Sequence, residues 1–361
     1  MARPTHAIIH LDALRHNLAR IRQLAPGAKV MAVVKADGYG HGLERVAMAL
    51  QGADAFGVAA LADAERLRAA GHSQRIVLLS GFDSPEDLPD LRRLDVEVVL
   101  HHESQLRILE SARAQGEPAW LGCWVKLDTG MHRLGFAPES APMLMQRLAR
   151  IASVRTEPVW MTHFARSDEF DCAATGEQIA RFSKALDGLA GSRSLANSAG
   201  VLGWPASHGD WVRPGGALYG ISVVAGRTGA DFGLRPAMSL GTRLIAINSV
   251  AAGEAIGYGG DFRTPGPMRI GVAAIGYGDG YPRAAPSGTP VQVGGRPARL
   301  VGRVSMDLLA IDLTNLPEAR VGDPVLLWGP ELPVERVAAA AATIGYELVC
   351  SITRRVRFLE A

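Results

Sequence analysis

The chain of 361 residues carries 38 basic and 36 acidic side chains, a formal charge of +2, and is 48% hydrophobic. That balance lacks the field that would draw nucleic acid or an acidic membrane surface, and the length suffices for two domains, each with its own core. Its three cysteines, Cys123, Cys172 and Cys350, are odd in number, far apart and without CxxC spacing, which speaks against a disulfide framework or a metal site and for a reducing compartment.

In chain order, the start "MARPTHAIIHLDALRHN" has no charged region followed by a sustained apolar segment, and no apolar run approaches membrane-spanning length. A cytoplasmic protein without a membrane partner is expected. Short apolar runs then alternate with amphipathic stretches. The runs are "VMAVVK" (30–35), "AFGVAA" (55–60), "RIVLLSG" (75–81), "VEVVLHH" (96–102), "LGCWVKLD" (121–128), "PVWMTHF" (158–164), "SLANSAG" (194–200) and "DWVRPGGALYG" (210–220). Stretches such as "LERVAMALQG", "ADAERLRAAG", "ESQLRILESARAQG" and "APMLMQRLARI" have helical spacing between them. Eight strand-like runs alternating with helices predict an α/β fold, a (β/α)8 TIM-like barrel over 8–232. An open doubly wound sheet is the alternative, because "VLGWPASHG" makes a poor helix. From residue 233 Pro, Gly and short β-prone runs dominate, and only "VERVAAAAATIG" reads as a helix. A mostly antiparallel β domain is predicted over 233–361, joined by the N-terminal residues 1–7.

Only four residues are lysine, Lys29, Lys35, Lys126 and Lys184. Arginine does not deprotonate or form a Schiff base, so a lysine at a barrel mouth stands out. Strand ends place Lys35 and Tyr39, Lys126 with Asp128 and Arg133, His163, Asn197 and Ser198, and Arg213 with "PGG" at that mouth. A desolvated Lys35 could form an imine with an aldehyde, although an isolated strand-end lysine is more often an ion-pair partner. Gly215 and Gly216 expose backbone N–H groups that, with the Ser198 hydroxyl, would cup a phosphate; a plain turn is the competing reading. An imine-forming lysine opposite a phosphate cup is what pyridoxal 5′-phosphate requires.

Together "VVKADGYGHG", "KLDTGMHRLGF", "MTHF", "NSAG", "VRPGGALYG", "IGYGG", "IGYGDGYPR" and "GRVSMD" make the sequence resemble the alanine racemase family from about residue 6 to 356. The resemblance implies a barrel and β domain in a head-to-tail homodimer, with active sites at the subunit interface. It implies that L- and D-alanine interconvert through an external aldimine and two proton-exchanging groups, for D-alanine supply to peptidoglycan or its catabolism. Lys35 would hold the cofactor and serve one face; Tyr258 of the partner subunit would serve the other. Tyr39, Ser198, Gly215 and Gly216 would contact the phosphate, and Arg213, supported by His163, would face the pyridine nitrogen, with Asn197 nearby. Arg133 would help hold the substrate carboxylate, and Lys126 matches a lysine that members carry carbamylated. Tyr277, Met306 and Asp307 would line the substrate side. Arg354 stands where members have a phosphate-reaching tyrosine, and is expected to replace it as a cofactor contact. A broader racemase accepting serine, or a decarboxylase of related fold, is the alternative. The decarboxylase would need an acid opposite the ring nitrogen, and Arg213 speaks against it.

Overall fold

The computed structural model describes residues 4–112, 119–155 and 157–361. The first strand, β1 (His6–Ile9), runs into helix Leu11–Leu24, which buries Leu14, Leu18 and Ile21 on one stripe. Eight parallel strands follow: β2 (Lys29–Val33), β3 (Ala55–Val58), β4 (Arg75–Leu78), β5 (Val96–Leu100), β6 (Cys123–Lys126), β7 (Val159–Met161), β8 (Ser192–Ser194) and β9 (Trp211–Val212). They close into a barrel, β9 pairing with β2. Covered on both faces, such strands read as unbroken apolar runs. Met31, Val77, Val99, Trp124, Met161 and Trp211 fill the interior.

The barrel, not the open sheet, is therefore what the chain adopts. The weak seventh unit is made from a short helix, Ser198–Gly203, and a single 3-10 turn, Pro205–Ser207, in place of the poor helix. The helix predicted over 103–116 is present as Glu103–Ser111; residues 113–116 lie outside the described ones.

At the barrel floor Glu97 is 4% exposed. Its carboxylate accepts from Arg75 Nε and Nη2 (3.0 and 2.7 Å), Arg155 Nη1 (3.2 Å) and Trp124 Nε1 (2.9 Å). Every lone pair of the buried charge thus has a donor, as burial of a carboxylate demands.

The β domain comprises β10 (Met238–Val250), β11 (Ala255–Ile256), β12 (Phe262–Arg263), β13 (Met268–Ala273), β14 (Pro290–Val293), β15 (Arg296–Val301), β16 (Leu309–Asp312), β17 (Pro324–Trp328) and β18 (Arg357–Glu360). Strands β13, β16, β15, β14, β17 and β10 pair antiparallel in that order, and β10 returns to β13, so six strands close on themselves. β1 adds antiparallel to β10 and parallel to β18. The N-terminal strand thus joins the β domain through Ile9, two residues beyond the predicted boundary, while residues 1–3 lie outside the described ones. Two helices, Val334–Ala340 and Gly345–Cys350, cross this domain; the second is not predicted from the sequence.

Candidate active site

Lys35 lies two residues beyond β2 and starts a turn, not the strand end that the sequence led us to expect. Ala36, Asp37, Gly38 and Tyr39 all take left-handed backbones, φ 54°, 54°, 61° and 51°. Three of them are not glycine, and each costs roughly 1–2 kcal/mol in that region. Hydrogen bonds hold the turn: Gly38 N–H to Val34 O (2.9 Å), Gly40 N–H to Ala36 O (2.9 Å) and Gly42 N–H to Asp37 O (2.8 Å). The Asp37 carboxylate accepts from Leu43 N–H (3.1 Å) and Arg66 (2.8 Å). His41, fully buried, donates Nδ1–H to the Tyr39 carbonyl (2.8 Å), which fixes its tautomer because a carbonyl can only accept. Backbone strain held this firmly marks functional sites.

Around that turn the barrel mouth encloses a cavity of ≈ 630 Å³ lined by Lys35, Tyr39, Lys126, Arg133, His163, Asn197, Ser198, Arg213, Gly215 and Gly216, with Val33, Leu134, Met161, Val223 and Tyr346 among the rest. Ten residues that the sequence singles out from five strand ends are thereby brought together. Among the described residues the lining carries four cations, Lys35, Lys126, Arg133 and Arg213, and no carboxylate. Burial, and after it the Arg133 guanidinium, lowers the Lys35 amine, with Cys350 partly opposing. Burial, then Arg133 and Arg213, lowers Lys126 to about 8. Lys126 therefore populates a neutral, nucleophilic form near neutrality, and Lys35 is shifted in the same direction.

Arg213 is 4% exposed, and burial lowers it to about 10, so it stays protonated near neutrality. Its Nη1 donates to Ser194 O and Oγ (2.8 and 2.7 Å) and its Nη2 to Thr162 O (2.5 Å) and Leu195 O (3.2 Å). These carbonyls, rather than the His163 ring, hold it. Burial, and after it Arg213, keeps His163 well below the usual imidazole range and hence neutral. The Arg213 Nε has no protein partner among the described residues, leaving one fixed donor for a ligand.

The Asp128 carboxylate accepts from the N–H groups of Gly130 (3.0 Å), Met131 (3.1 Å) and His132 (3.0 Å), curling the loop that carries Arg133 over the cavity. Gly135 closes that loop at φ 134°, where a Cβ would lie 2.7 Å from Asp128 N.

The fit to pyridoxal 5′-phosphate can be read from the cradle at 198 and 215–217. The Ser198 hydroxyl accepts from Gly215 N–H (2.9 Å) and Ala217 N–H (3.2 Å), while Gly216 N–H has no partner among the described residues. A Cβ on Gly215 would lie 2.4 Å from the Tyr39 hydroxyl, and one on Gly216 1.9 Å from Tyr346 Cε1 and 2.4 Å from its hydroxyl. Two phenols therefore stand directly over the glycine pair. Burial pushes Tyr39 up to about 12 and Tyr346 up as well, so both keep their protons as donors. Donors, an amine of lowered basicity and a cluster of cations suit a ligand bearing a phosphate and an aldehyde.

Arg354 is a correction. It is exposed in the segment leading to β18 and does not line the cavity; Tyr346 does, carried by helix Gly345–Cys350 against the Lys35 turn. A Cβ on Gly40 would lie 2.2 Å from Val349 O, which shows how closely that helix approaches. The signal missed was the apolar spacing of Leu348 and Val349 after Gly345, masked by reading that glycine only as the end of the preceding helix. Tyr258, Tyr277, Met306 and Asp307 do not line the cavity of their own chain either. Tyr258, in the β11–β12 hairpin, is 68% exposed, Met306 51% and Tyr277 38%. Tyr277 lies under the Arg283 guanidinium (5.5 Å), and Asp307 pairs with Arg355.

Residues 9–223 match the alanine racemase N-terminal domain family and residues 237–359 the alanine racemase C-terminal domain family. The chain is 51% identical to the biosynthetic alanine racemase of Escherichia coli (strain K12) over 97% of each chain. Among solved structures it is similar to the biosynthetic alanine racemase of Pseudomonas aeruginosa (47% identity, TM-score 0.95, 99% of each chain). It is also similar to the alanine racemase of Bartonella henselae with covalently bound pyridoxal phosphate (27% identity, TM-score 0.88, 99% of each chain).

Proposed function

The chain belongs to the alanine racemase family, and from the premise that it interconverts L- and D-alanine we propose how its residues do so. The observation that carries the reading is the Lys35 amine, lowered by partial desolvation and Arg133, at a cavity that holds four cations and, among the described residues, no carboxylate.

Pyridoxal 5′-phosphate would be held by Lys35 at its aldehyde, by Ser198, Gly215, Gly216, Tyr39 and Tyr346 at its phosphate, and by Arg213 at its ring nitrogen. When bound, the cofactor supplies an electron sink that acidifies the Cα–H of an attached amino acid. Arg213 carries donors only and cannot accept a proton, so it would disfavour a protonated ring nitrogen and leave the bound cofactor a weaker electron sink, which works against transamination. Arg133, exposed at the cavity's edge, is placed to meet the substrate carboxylate. Asn197 accepts from Ser167 (3.0 Å) and Gly200 N–H (2.9 Å) and so anchors the turn carrying Ser198.

Racemisation needs a group that moves a proton on each face of Cα. The Lys35 amine would serve one. Tyr258 of the partner subunit serves the other: on its own chain the phenol lies outside the cavity and exposed, as a group meant for a second copy would. Tyr277, Met306 and Asp307 lie on the same domain and would complete the substrate side in a head-to-tail homodimer. The three free cysteines accord with a cytoplasmic enzyme, supplying D-alanine for peptidoglycan.

The test is α-hydrogen exchange in D2O with chirality followed, for the protein loaded with cofactor and given L-alanine. Deuterium should enter Cα as the enantiomers equalise. Loss of the carboxyl group, or no exchange despite a bound cofactor, would overturn the reading.

A further inference from the structure

We propose that Gln178 is a positioning residue that locks the loop after β6, which follows Lys126 and carries Arg133, to the loop after β7, which carries His163 and a carbonyl that holds Arg213. The proposal rests on the functional reading above, in which those side chains serve cofactor and substrate. Gln178 lies on helix Ala174–Ala185, behind the cavity wall, and is 3% exposed. Its Nε2 donates to Thr129 Oγ1 (3.1 Å) and to His163 O (3.1 Å), and its Oε1 accepts from Ala165 N–H (2.9 Å). The amide cannot be flipped, because Nε2 faces a carbonyl and Oε1 faces an N–H.

The bonds beyond it have one direction only. Thr162 Oγ1 donates to Leu127 O (2.9 Å), which can only accept, so Thr162 must accept from Thr129 Oγ1–H (2.7 Å). Thr129 in turn must accept from Gln178. The order Gln178, Thr129, Thr162, Leu127 therefore has no spare donor and no alternative arrangement. Thr162 O is also the acceptor for Arg213 Nη2 at 2.5 Å. Removing the Gln178 amide would take the part-buried His163 carbonyl and Ala165 N–H from the partner that ties them to the loop after β6, and both loops would settle elsewhere. A fully satisfied buried network of this kind fixes geometry more than it adds stability.

The experiment compares wild type, Gln178→Met, Thr129→Val, Thr129→Ser and the Gln178→Met/Thr129→Val double variant, each as the cofactor-loaded enzyme. Racemisation kinetics, the visible circular dichroism of bound cofactor and thermal midpoint are read for each. Gln178→Met and Thr129→Val should each lose about 10–100-fold in kcat, the scale of an ångström's misplacement, with KM changed less than about threefold. The cofactor dichroism should change in both, and Thr129→Ser, which keeps the hydroxyl, should restore rate and spectrum. The double variant should lose little more than either single, because both cut one network. Folded variants that keep kcat within about twofold of wild type would overturn the proposal. So would losses that track thermal midpoint under an unchanged cofactor spectrum, or losses that multiply in the double variant. If Gln178→Met does not fold, the Thr129 pair decides. A wild-type protein that fails to racemise would sink the functional reading instead.

Discussion

Lys126 should carry a carbamate, and pH should set how readily it forms. Burial, Arg133 and Arg213 hold its conjugate acid at about 8, against the ordinary 10.5. At pH 7.5 about a quarter of the chains then present a neutral amine, compared with ~0.1% for an exposed lysine, so roughly 200-fold more nucleophile meets CO2. The product exchanges a cation for an anion in a cavity lined by three further cations, Lys35, Arg133 and Arg213, which turns repulsion into attraction. The perturbation is to strip CO2 from the buffer and then restore it as 13C-bicarbonate, with Lys126→Met in parallel. Carbon NMR should show a carbamate carbonyl in wild type and none in the variant, weakening as pH falls from about 8 to 6, because an ammonium cannot attack. Racemisation should fall in CO2-free buffer and return with bicarbonate. A fully active wild type without a carbamate signal between about pH 7 and 9, or a signal that survives Lys126→Met, would refute the reasoning. In carbonate-free buffer the unfolded chain keeps this proton to about 10.5 and the folded chain only to about 8. The unfolded state therefore binds more protons in that window, and wild-type stability relative to Lys126→Met should rise with pH through it.

Tyr258→Phe should slow α-proton exchange from one enantiomer far more than from the other, measured as primary isotope exchange from each pure enantiomer. Equal and trivial losses in both directions would remove the phenol from its role. Gly216→Ala brings a methyl to 1.9 Å from Tyr346 Cε1. Tyr346 is packed edge-on against Tyr39 (5.6 Å) and has little room to retreat, so cofactor affinity by equilibrium dialysis should fall by about 10–100-fold, equivalent to about 1.4–2.8 kcal/mol. Unchanged affinity would mean that the cradle yields. Glu97→Gln keeps shape but leaves Arg75, Arg155 and Trp124 with one neutral acceptor among them. The urea midpoint should drop by an amount equivalent to about 2–4 kcal/mol, while the cofactor spectrum stays put because the floor lies at the opposite end of the barrel from the cavity.

The barrel was legible because strands covered on both faces must be apolar throughout, and eight such runs alternated with helical spacing. Ten cavity residues followed from that register, since each lies at or just past a strand end. The left-handed turn at 36–39 was not legible: Gly38 alone announces it, while Ala36, Asp37 and Tyr39 adopt φ 51–54° against their own preference because hydrogen bonds from Arg66, Leu43 and His41 compel it. Tyr346 escaped for a different reason. Its helix is six residues long and has no side-chain cap, so only its packing on the Lys35 turn gives it away. Local sequence pattern carries no record of contacts made by segments more than 300 positions apart. Gln178 shows the same limit, because a polar residue on an amphipathic helix reads as solvent-facing until the loops behind it are in place.

The position of β1 between β10 and β18 has a consequence for how the chain is made. His6 pairs with Gly241 on one side and Arg357 on the other. At ribosomal rates of about 5–20 residues per second, β1 waits roughly ten to fifty seconds for its first neighbour and about twenty to seventy for its second. Through that interval the barrel can close while its entry strand hangs as a bare edge, open to pairing with other nascent chains. The last strand synthesised therefore acts as a clasp: a chain released short of β18 would keep a complete barrel yet leave one side of β1 as an unpaired edge.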